Sequence, residues 1–256
     1  MSTNWSEKKS SILFDEYDDF VECALGYNPI IEKLKGHIPQ SAPLMDYGCG
    51  GGKVSARLQA AGFSDISGFD ISPTMVAKAQ KRVGTGAVFK KIESGEVPRA
   101  DYAFAAAICC YVFINVPDRT EIAKIACEVF RVLAPGAEFY LLDTNPRSSG
   151  IKFSTFQNGD TGRRYNDGDD RNVYLDLPDG SVFEIVDTYW DQENYCQVLR
   201  EAGFIDIVAN ELTARDIDKE HAHGIGPREY EDPPFVFFSC KKPHGDVAIP
   251  AQQEKH

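Results

Sequence analysis

A glycine-rich segment, DYGCGGG at residues 46–52, constrains the fold of this chain more than any other feature. It joins a short apolar stretch to residues 53–61, in which apolar side chains recur at helical spacing. Such a turn lets the backbone come into contact with a ligand, because glycine has no Cβ and tolerates positive φ. Asp70 lies twenty residues after Gly50, at the end of the next predicted strand, where a carboxylate can accept hydrogen bonds from a ribose. The pattern therefore predicts a ligand that contains a nucleoside.

Predicted strands and amphipathic helices alternate along most of the sequence. The strands are expected at residues 43–47, 66–71, 87–90, 103–110, 137–142, 204–209 and 234–240. The helices are expected at residues 14–35, 53–61, 73–82, 118–133 and 191–203, with Pro135-Gly136 ending the fourth. This alternation predicts an α/β fold with a mostly parallel sheet, helices on both faces, and a ligand at the carboxyl ends of the strands.

Residues 147–190 interrupt the alternation. Residues 173–177 and 182–190 flank Pro178-Asp179-Gly180 in a pattern typical of a β-hairpin, so we interpret the segment as an insertion that shapes the substrate site. The expected organisation is an N-terminal helical lid at 1–42, a cofactor-binding core at 43–146, the β insertion at 147–190, a part that completes the sheet at 191–243, and a mobile tail at 244–256.

Charge and composition exclude several classes of partner. The 256 residues carry a formal net charge of −12, which would repel a nucleic-acid backbone. The longest apolar run, about twelve residues at 103–114, is shorter than the roughly 20 that a membrane helix needs. Residues 1–10 lack the apolar core of a signal peptide, which indicates a cytoplasmic protein. The seven cysteines include no C-x-x-C pair and predict neither disulfides nor a metal site. We expect a small-molecule partner, no nucleic acid or membrane, and a monomer or homodimer.

The spacing around the glycine turn discriminates between cofactors. The dinucleotide fingerprint G-x-G-x-x-G needs glycine where this chain has Lys53, and the phosphate-binding P-loop needs serine or threonine where it has Val54. Asp46, just before the turn, would repel a pyrophosphate but would attract a cationic amino group. These residues favour a nucleoside joined to an amino acid.

In these residues the chain resembles the class I S-adenosylmethionine-dependent methyltransferases. Residues 46–52 match the family's acidic-x-G-x-G-x-G motif, and Asp70 matches its second-strand acid. Further similar stretches are IESGEVP at 92–98, CCY at 109–111, VPD at 116–118, LAPGAEF at 133–139 and, more weakly, LREAGF at 199–204. The resemblance implies a Rossmann-like seven-stranded sheet whose last strand is antiparallel, with S-adenosylmethionine as cofactor. Two departures are Ala105, where the family has an acid, and Glu93, where it more often has aspartate.

The resemblance also suggests which residues bind the cofactor. Tyr17 would close over its methionine end, although a helix that only packs its apolar side on the sheet is an equal alternative. Glu93 and Ser94 would lie beside the adenine. The full expected set is Tyr17, Asp46, Gly48, Gly50, Asp70, Ile71, Met75, Glu93, Ser94 and Cys110.

Methyl transfer is an in-line displacement that depends mainly on holding two reactants in place. The candidates for catalysis are Tyr17, Asp143 and Asn145, and those for acceptor binding are Tyr111, Asp143, Asn145, Tyr189 and Trp190. Asp143 and Asn145 follow the fifth strand and could instead cap the loop. Tyr189 and Trp190 could stack on a planar acceptor or simply belong to the core.

Other reactive residues are weaker candidates. His221 and His223 could supply a base or a metal ligand but have no further ligands at a suitable spacing. Cys109 and Cys110 are interpreted as small core residues, and the basic stretch at 163–165 is too short to bind nucleic acid.

The sequence thus predicts an enzyme that methylates a nitrogen or oxygen of a small, planar heterocycle or secondary metabolite. The alternatives are an NAD(P)-dependent oxidoreductase, which shares the β–turn–α unit, and a nucleoside-binding protein without catalysis.

Overall fold

The computed structural model describes residues 17–245, and ten strands lie in this part of the chain. They are β1 (Leu44–Tyr47), β2 (Ile66–Asp70), β3 (Ala87–Lys91), β4 (Phe104–Cys110), β5 (Leu133–Thr144), β6 (Phe156–Asn158), β7 (Asp170–Asp176), β8 (Val182–Thr188), β9 (Ile205–Glu211) and β10 (Phe235–Lys241). Seven of them form one sheet in the order β3-β2-β1-β4-β5-β10-β9. Strands β1 to β5 are parallel, and β10 is antiparallel to both of its neighbours. The predicted seven-stranded, mostly parallel sheet is confirmed.

The helices are α1 (residues 20–37), α2 (Lys53–Ala60), α3 (Pro73–Arg82), α4 (Arg119–Val132) and α5 (Gln192–Glu201). Helix α1 is not regular: the turn Phe20–Glu22 is followed by a π-helical segment, Cys23–Tyr27, and then by the α-helical Asn28–His37. Short 3₁₀ helices lie at Phe113–Asn115, Pro146–Ser148 and Arg228–Tyr230. Among residues 17–245, no helix is long and apolar enough to cross a membrane.

Side-chain alternation along β10 shows how the sheet is covered on both faces. Val236 and Phe238 pack into a core formed with α4 and α5, whereas Phe235 and Phe237 pack into a second core formed with α1 and the insertion. Successive residues of a strand point to opposite faces, so a continuous apolar strand such as β10 serves two cores at once.

The polar residues at the predicted helix starts act as caps. The side chains of Ser72, Asp118 and Asp191 accept hydrogen bonds from the backbone N–H groups of Met75, Thr120 and Glu193, respectively. Each cap satisfies a donor that the first helical turn leaves without a partner. The three helices consequently begin within one residue of their predicted positions.

Several boundaries differ from prediction. Strand β5 starts at Leu133 and passes through Pro135-Gly136, because Gly136 donates its N–H to the Lys242 carbonyl and β5 pairs with β4 from its first residue. Strand β8 ends at Thr188, two residues earlier than expected. Residues 17–19, predicted as part of the first helix, are not helical, and α1 begins at Phe20. Residues 14–16 and most of the predicted tail lie outside the described residues.

The insertion is a three-stranded antiparallel sheet rather than a two-stranded hairpin. The predicted hairpin is present as β7 and β8, and β6 pairs with β7 as a third strand. Phe156 of β6 and Val173 and Leu175 of β7 join the core on the α1 side of the large sheet. The small sheet is therefore held over the carboxyl end of the large one by apolar contact.

Candidate functional site

A cavity of about 430 Å³ opens at the carboxyl ends of β1, β2 and β4. Three parts of the chain enclose it: the glycine turn, the start of α1, and the insertion. Residues predicted for the cofactor that line the cavity are Tyr17, Asp46, Gly48, Gly50, Asp70, Ile71, Met75, Ser94 and Cys110. The structure thus brings together nine of the ten residues expected from the sequence, with Glu93 as the exception.

The glycine turn follows β1 and uses positive φ at three positions, with values of +72° at Gly48, +49° at Gly50 and +79° at Gly52. A Cβ at Gly48 would lie 2.1 Å from Cγ2 of Val112, so only glycine fits there. A Cβ at Gly50 would meet no protein atom within 4 Å. Gly50 therefore leaves open space in the cavity wall, as a backbone that contacts a ligand must.

Two acids flank this turn. Asp70 accepts hydrogen bonds from the backbone N–H groups of Gly50 at 2.9 Å and Ser72 at 2.8 Å, one on each carboxylate oxygen. Asp46 is 1% exposed and accepts a hydrogen bond from the Ser55 hydroxyl. Burial raises the pKa of Asp46 to about 7, against the opposing effect of the Ser55 bond. A buried acid of this kind is suited to a cationic partner, which would favour its charged form.

The residues that follow β2 extend the cavity wall with an apolar surface. Ile71 is 59% exposed, which is unusual for isoleucine, while Met75 is 5% exposed. Ser94 also lines this part, and the N–H of the adjacent Gly95 donates to the Tyr47 hydroxyl at 2.8 Å. Glu93 does not line it: its side chain is 73% exposed and pairs with Lys91, which lowers the pKa of Glu93.

Tyr17 is 3% exposed and lies in the cavity wall. Its hydroxyl donates to Oε1 of Glu22 at 2.6 Å and lies 2.8 Å from Oγ1 of Thr155 in the insertion. Lys53 donates to the Tyr17 carbonyl at 3.3 Å and lies 3.8 Å from Oδ2 of Asp19. Lys53 thereby connects the segment before α1 to the start of α2. Tyr17 is both buried against the protein and part of the cavity wall.

Aromatic and polar groups enclose the other half of the cavity. Tyr111 lines it, as predicted for a residue that contacts the acceptor, and has a φ of +57°. A positive φ is strained for tyrosine, and such strain is concentrated at functional sites. The insertion contributes Phe156, Asn158, Val173, Leu175, Ile185 and Asp187.

Asp187 belongs to a buried ion pair. Arg171 donates to its two carboxylate oxygens at 2.8 and 2.7 Å, to the Thr144 hydroxyl at 2.6 Å and to the Ser149 hydroxyl at 3.0 Å. The side chains of Arg171 and Asp187 are 1% and 2% exposed. This network connects the small sheet to the end of β5.

The structure does not place Asp143 or Asn145 in the cavity wall. Asp143 pairs with Val236 in the sheet and points to the α4 and α5 side, whereas its neighbour Thr144 points into the cavity. Burial raises the pKa of Asp143 well above its usual range. Asn145 donates to Glu211 at 2.8 Å and accepts from the N–H of Arg147, as in the loop-capping alternative.

Tyr189 and Trp190 also lie away from the cavity, because β8 ends before them. The Trp190 indole N–H donates to the Val116 carbonyl at 3.1 Å, and its ring belongs to the core on the α4 side. The Tyr189 ring stacks on that of Tyr165 with 5.7 Å between centroids. Neither residue lines the cavity, and contact between them and the acceptor stays a prediction.

The remaining reactive residues fall into two groups. Burial raises the pKa of the Cys109 and Cys110 thiols, which keeps both protonated and poorly nucleophilic. His221 and His223 are exposed in a turn region outside this cavity. Within residues 17–245, no cluster of His, Cys, Asp and Glu is arranged to hold a metal ion.

Sequence reasoning missed several polar or aromatic residues in the cavity wall, among them Asp19, Glu22, Tyr27, Asn158 and Asp187. The first three lie on or beside α1 and the other two on the insertion. An acid within an otherwise apolar helical face was the available signal for Glu22. The insertion residues had no such signal, because the way the small sheet docks decides which side faces the cavity.

Known proteins give an independent view of the same region. A family described as a methyltransferase domain matches residues 44–136, which include the glycine turn and Asp70. The N-demethylindolmycin N-methyltransferase of Streptomyces griseus is 28% identical over 221 residues, covering 83% of this chain and 92% of that protein. The 27-O-demethylrifamycin SV methyltransferase of Amycolatopsis mediterranei is 30% identical over 121 residues, covering 44% and 43%.

Solved structures agree on the fold. An S-adenosylmethionine-dependent methyltransferase from Clostridium acetobutylicum has a TM-score of 0.61 at 14% identity, with 94% of this chain and 100% of that chain covered. Another, from Mesorhizobium loti, has a TM-score of 0.57 at 17% identity and covers 85% and 100%.

Proposed function

Because this chain belongs to the class I S-adenosylmethionine-dependent methyltransferases, we propose that it transfers the methyl group of that cofactor to a nitrogen or oxygen of a small, planar molecule. The methyltransferase activity and the cofactor come from the family. The acceptor class and the roles of individual residues are our proposal.

The half of the cavity next to the glycine turn fits S-adenosylmethionine. Gly50 leaves open space for it, and the Asp70 carboxylate keeps lone pairs beyond the two that its backbone hydrogen bonds use. We assign the ribose to Asp70 and the cationic amino-acid end to Asp46 and Tyr17. The adenine is assigned to the surface formed by Ile71, Met75 and Ser94.

The chain's own part in the reaction is to bind, orient and exclude water. When bound, the cofactor would supply a sulfonium-linked methyl group that a nucleophile can attack in line, with the thioether sulfur as the leaving group. Holding the two reactants in contact and aligned can contribute about 7 to 11 kcal/mol to lowering the barrier. The buried Tyr17 and the insertion cover the cavity, and the protonated Cys110 thiol is a poor competing nucleophile.

The observation that carries the small-molecule assignment is the concave cavity, to which the insertion contributes Phe156 and the apolar side chains of Val173, Leu175 and Ile185. A volume of about 430 Å³ lies within the range of sites that bind small molecules. The relatives named for an N-demethylindolmycin and a demethylrifamycin substrate support the same assignment.

The test is a methyl-transfer assay with the full chain and methyl-labelled S-adenosylmethionine. Acceptors are aromatic amines, phenols and N-demethylindolmycin in one set, and transfer RNA, duplex DNA and a protein mixture in another. We expect label in the small-molecule set only. Asp70→Ala should reduce cofactor affinity at least tenfold, whereas Asp65→Ala, an exposed acid just before the same strand, should leave it unchanged.

Two results would contradict the proposal. Label in RNA, DNA or protein would assign a macromolecular acceptor. Cofactor binding with no transfer to any member of either set would favour the non-catalytic alternative.

A further inference from the structure

Glu22 is a buried acid in the cavity wall, and one of its two carboxylate oxygens has no hydrogen-bond partner among the described residues. It is 7% exposed and lines the cavity at the end of the first turn of α1. Its Oε1 accepts from the Tyr17 hydroxyl at 2.6 Å, and within the described residues its Oε2 has no hydrogen-bond partner. Leaving a buried carboxylate oxygen unpaired is costly unless a ligand completes it.

The π-helical segment explains why Glu22 lies there. Cys23–Tyr27 follows directly, and the wider turn brings Glu22 and Tyr27, five residues apart, to the same side of α1, where both line the cavity. Single π-helical turns are rare and are found mainly at functional sites. The distortion thus places one acid and one aromatic ring where a regular helix would separate them.

Aromatic rings line the same cavity as this acid, and two of them, Tyr27 and Tyr111, face it. The Tyr27 and Tyr111 rings are 6.0 Å apart at 85°, Tyr111 and Phe235 are 5.9 Å apart at 74°, and Phe156 stacks on Phe235 at 5.2 Å. All four rings line the cavity. A carboxylate beside aromatic faces is suited to a cationic nitrogen, which the ring quadrupoles and the acid both attract.

The charge of the cavity wall points the same way. Five of its side chains are acids, of which Asp187 is neutralised by Arg171, and one is a cation, Lys53. Lys53 lies against Asp19, which also accepts a hydrogen bond from Arg57 at 2.8 Å. Such a wall disfavours an acceptor that binds as a carboxylate or phenolate and favours one that binds as an amine.

Building on the proposed function, we infer that Glu22 binds the acceptor directly through Oε2, and that the methylated atom is a basic nitrogen on a planar molecule. A protonated amine has no lone pair, so it must lose a proton before it can attack. Glu22 takes that proton. The N–C bond then forms as the C–S bond of the sulfonium breaks, and the electron pair of that bond remains on sulfur.

The ionisation of Glu22 fits this role. Burial raises the pKa of Glu22 to about 8, with the Tyr17 hydrogen bond opposing the shift. The other titratable or charged groups that face it are Tyr17, Asp19, Tyr27, Lys53 and Tyr111. Burial raises the pKa of all three tyrosines, so they stay protonated where Glu22 titrates.

The test compares amine and alcohol pairs that share a planar frame: tryptamine with tryptophol, and benzylamine with benzyl alcohol. Binding is measured calorimetrically on the full chain saturated with S-adenosylhomocysteine. We expect at least one amine to bind at least tenfold more tightly than its alcohol at pH 8. Glu22→Gln, whose amide oxygen can still accept from the Tyr17 hydroxyl, should abolish this preference and still bind S-adenosylhomocysteine. Glu32→Gln, an exposed acid on the same helix, should change neither.

A second measurement needs no variant. Because the acid must be ionised to hold the amine, the preference of the wild-type chain should increase between pH 6 and pH 8, while alcohol binding stays constant. No amine preference at pH 8, or a preference retained by Glu22→Gln, would overturn the inference. Failure of the proposed function would be recognised separately, as a chain that does not bind S-adenosylhomocysteine or transfers no methyl group.

Discussion

Asp46 shows how a single residue can link cofactor binding to pH. It is buried next to the glycine turn, and its pKa is raised to about 7 because burial disfavours its charge. The protonated form is therefore populated below about pH 7 in the free protein. A cationic group of the cofactor would stabilise the ionised form and lower this pKa. Binding would then release a proton, and affinity would rise with pH until Asp46 is ionised in the free protein as well.

We therefore expect the affinity for S-adenosylhomocysteine, which keeps the amino group, to increase about tenfold between pH 5.5 and pH 8, with proton release near pH 6.5. Calorimetry in buffers of different ionisation enthalpy measures both quantities. Asp46→Asn keeps the size of the side chain and an acceptor for Ser55. It should bind more weakly at pH 8 and release no proton. A pH-independent wild-type affinity would show that Asp46 does not face the cationic group.

The positions of individual site residues could be predicted best where they depend on the course of the backbone. Glycines at 48, 50 and 52 and the acid at 70 could be assigned because a β–turn–α unit dictates where they lie. Asp143 and Asn145 could not, since one residue of register along β5 decides whether a side chain faces the cavity or the opposite core. Thr144, between them, is the residue that lines the cavity.

A buried ion pair holds the insertion in place in addition to its apolar contacts. Arg171 on β7 and Asp187 on β8 neutralise each other, and Arg171 also reaches Thr144 at the end of β5. Burial raises the pKa of Asp187, although Arg171 opposes the shift. Removing one member of such a pair leaves an uncompensated buried charge and typically costs about 3 to 5 kcal/mol, whereas replacing both with apolar residues is often close to neutral.

Arg171→Met should therefore lower the free energy of unfolding by about 3 to 5 kcal/mol, and the double variant Arg171→Met/Asp187→Leu should recover most of this loss. Chemical denaturation measures both. Lys152 and Asp176 form an exposed ion pair at 2.6 Å in the same part of the chain, so Lys152→Met should cost about 1 kcal/mol or less. If the single and double variants lost the same free energy of unfolding, the uncompensated charge of Asp187 would not be the cause of the loss.

Elements with strong periodicity or a cap could be predicted, and short or distorted ones could not. Helices α3, α4 and α5 begin at side-chain caps that are visible in the sequence. Strand β6 has only three residues, too few for an alternation to be recognised. The π-helical turn of α1 has no sequence signature, because packing against the cavity rather than local propensity produces it.

At the scale of the whole molecule, ligand binding and folding stability are coupled. A ligand that binds the native state and not the unfolded chain stabilises the former by about 2.7 kcal/mol when its concentration is 100 times its Kd. For a chain of about this size, each kcal/mol raises the thermal midpoint by about 2 to 4 °C.

S-adenosylhomocysteine at 100 times its Kd should therefore raise the melting temperature by about 5 to 10 °C. NADH at the same concentration should leave it unchanged, because Lys53 occupies the position of the third fingerprint glycine and is directed at Tyr17 and Asp19 rather than at a phosphate. Differential scanning calorimetry measures the shift. A comparable shift with NADH would favour the oxidoreductase alternative.

The three-stranded sheet lies outside the seven-stranded one and shares no ladder with it. Substitutions at cavity-facing positions such as Val173, Leu175 and Ile185 therefore alter the shape offered to one reactant without touching the backbone that holds the other. Changes in the size of these apolar side chains could then alter which acceptor fits while the glycine turn stays intact, provided that Val173 and Leu175 remain apolar and keep packing in the core.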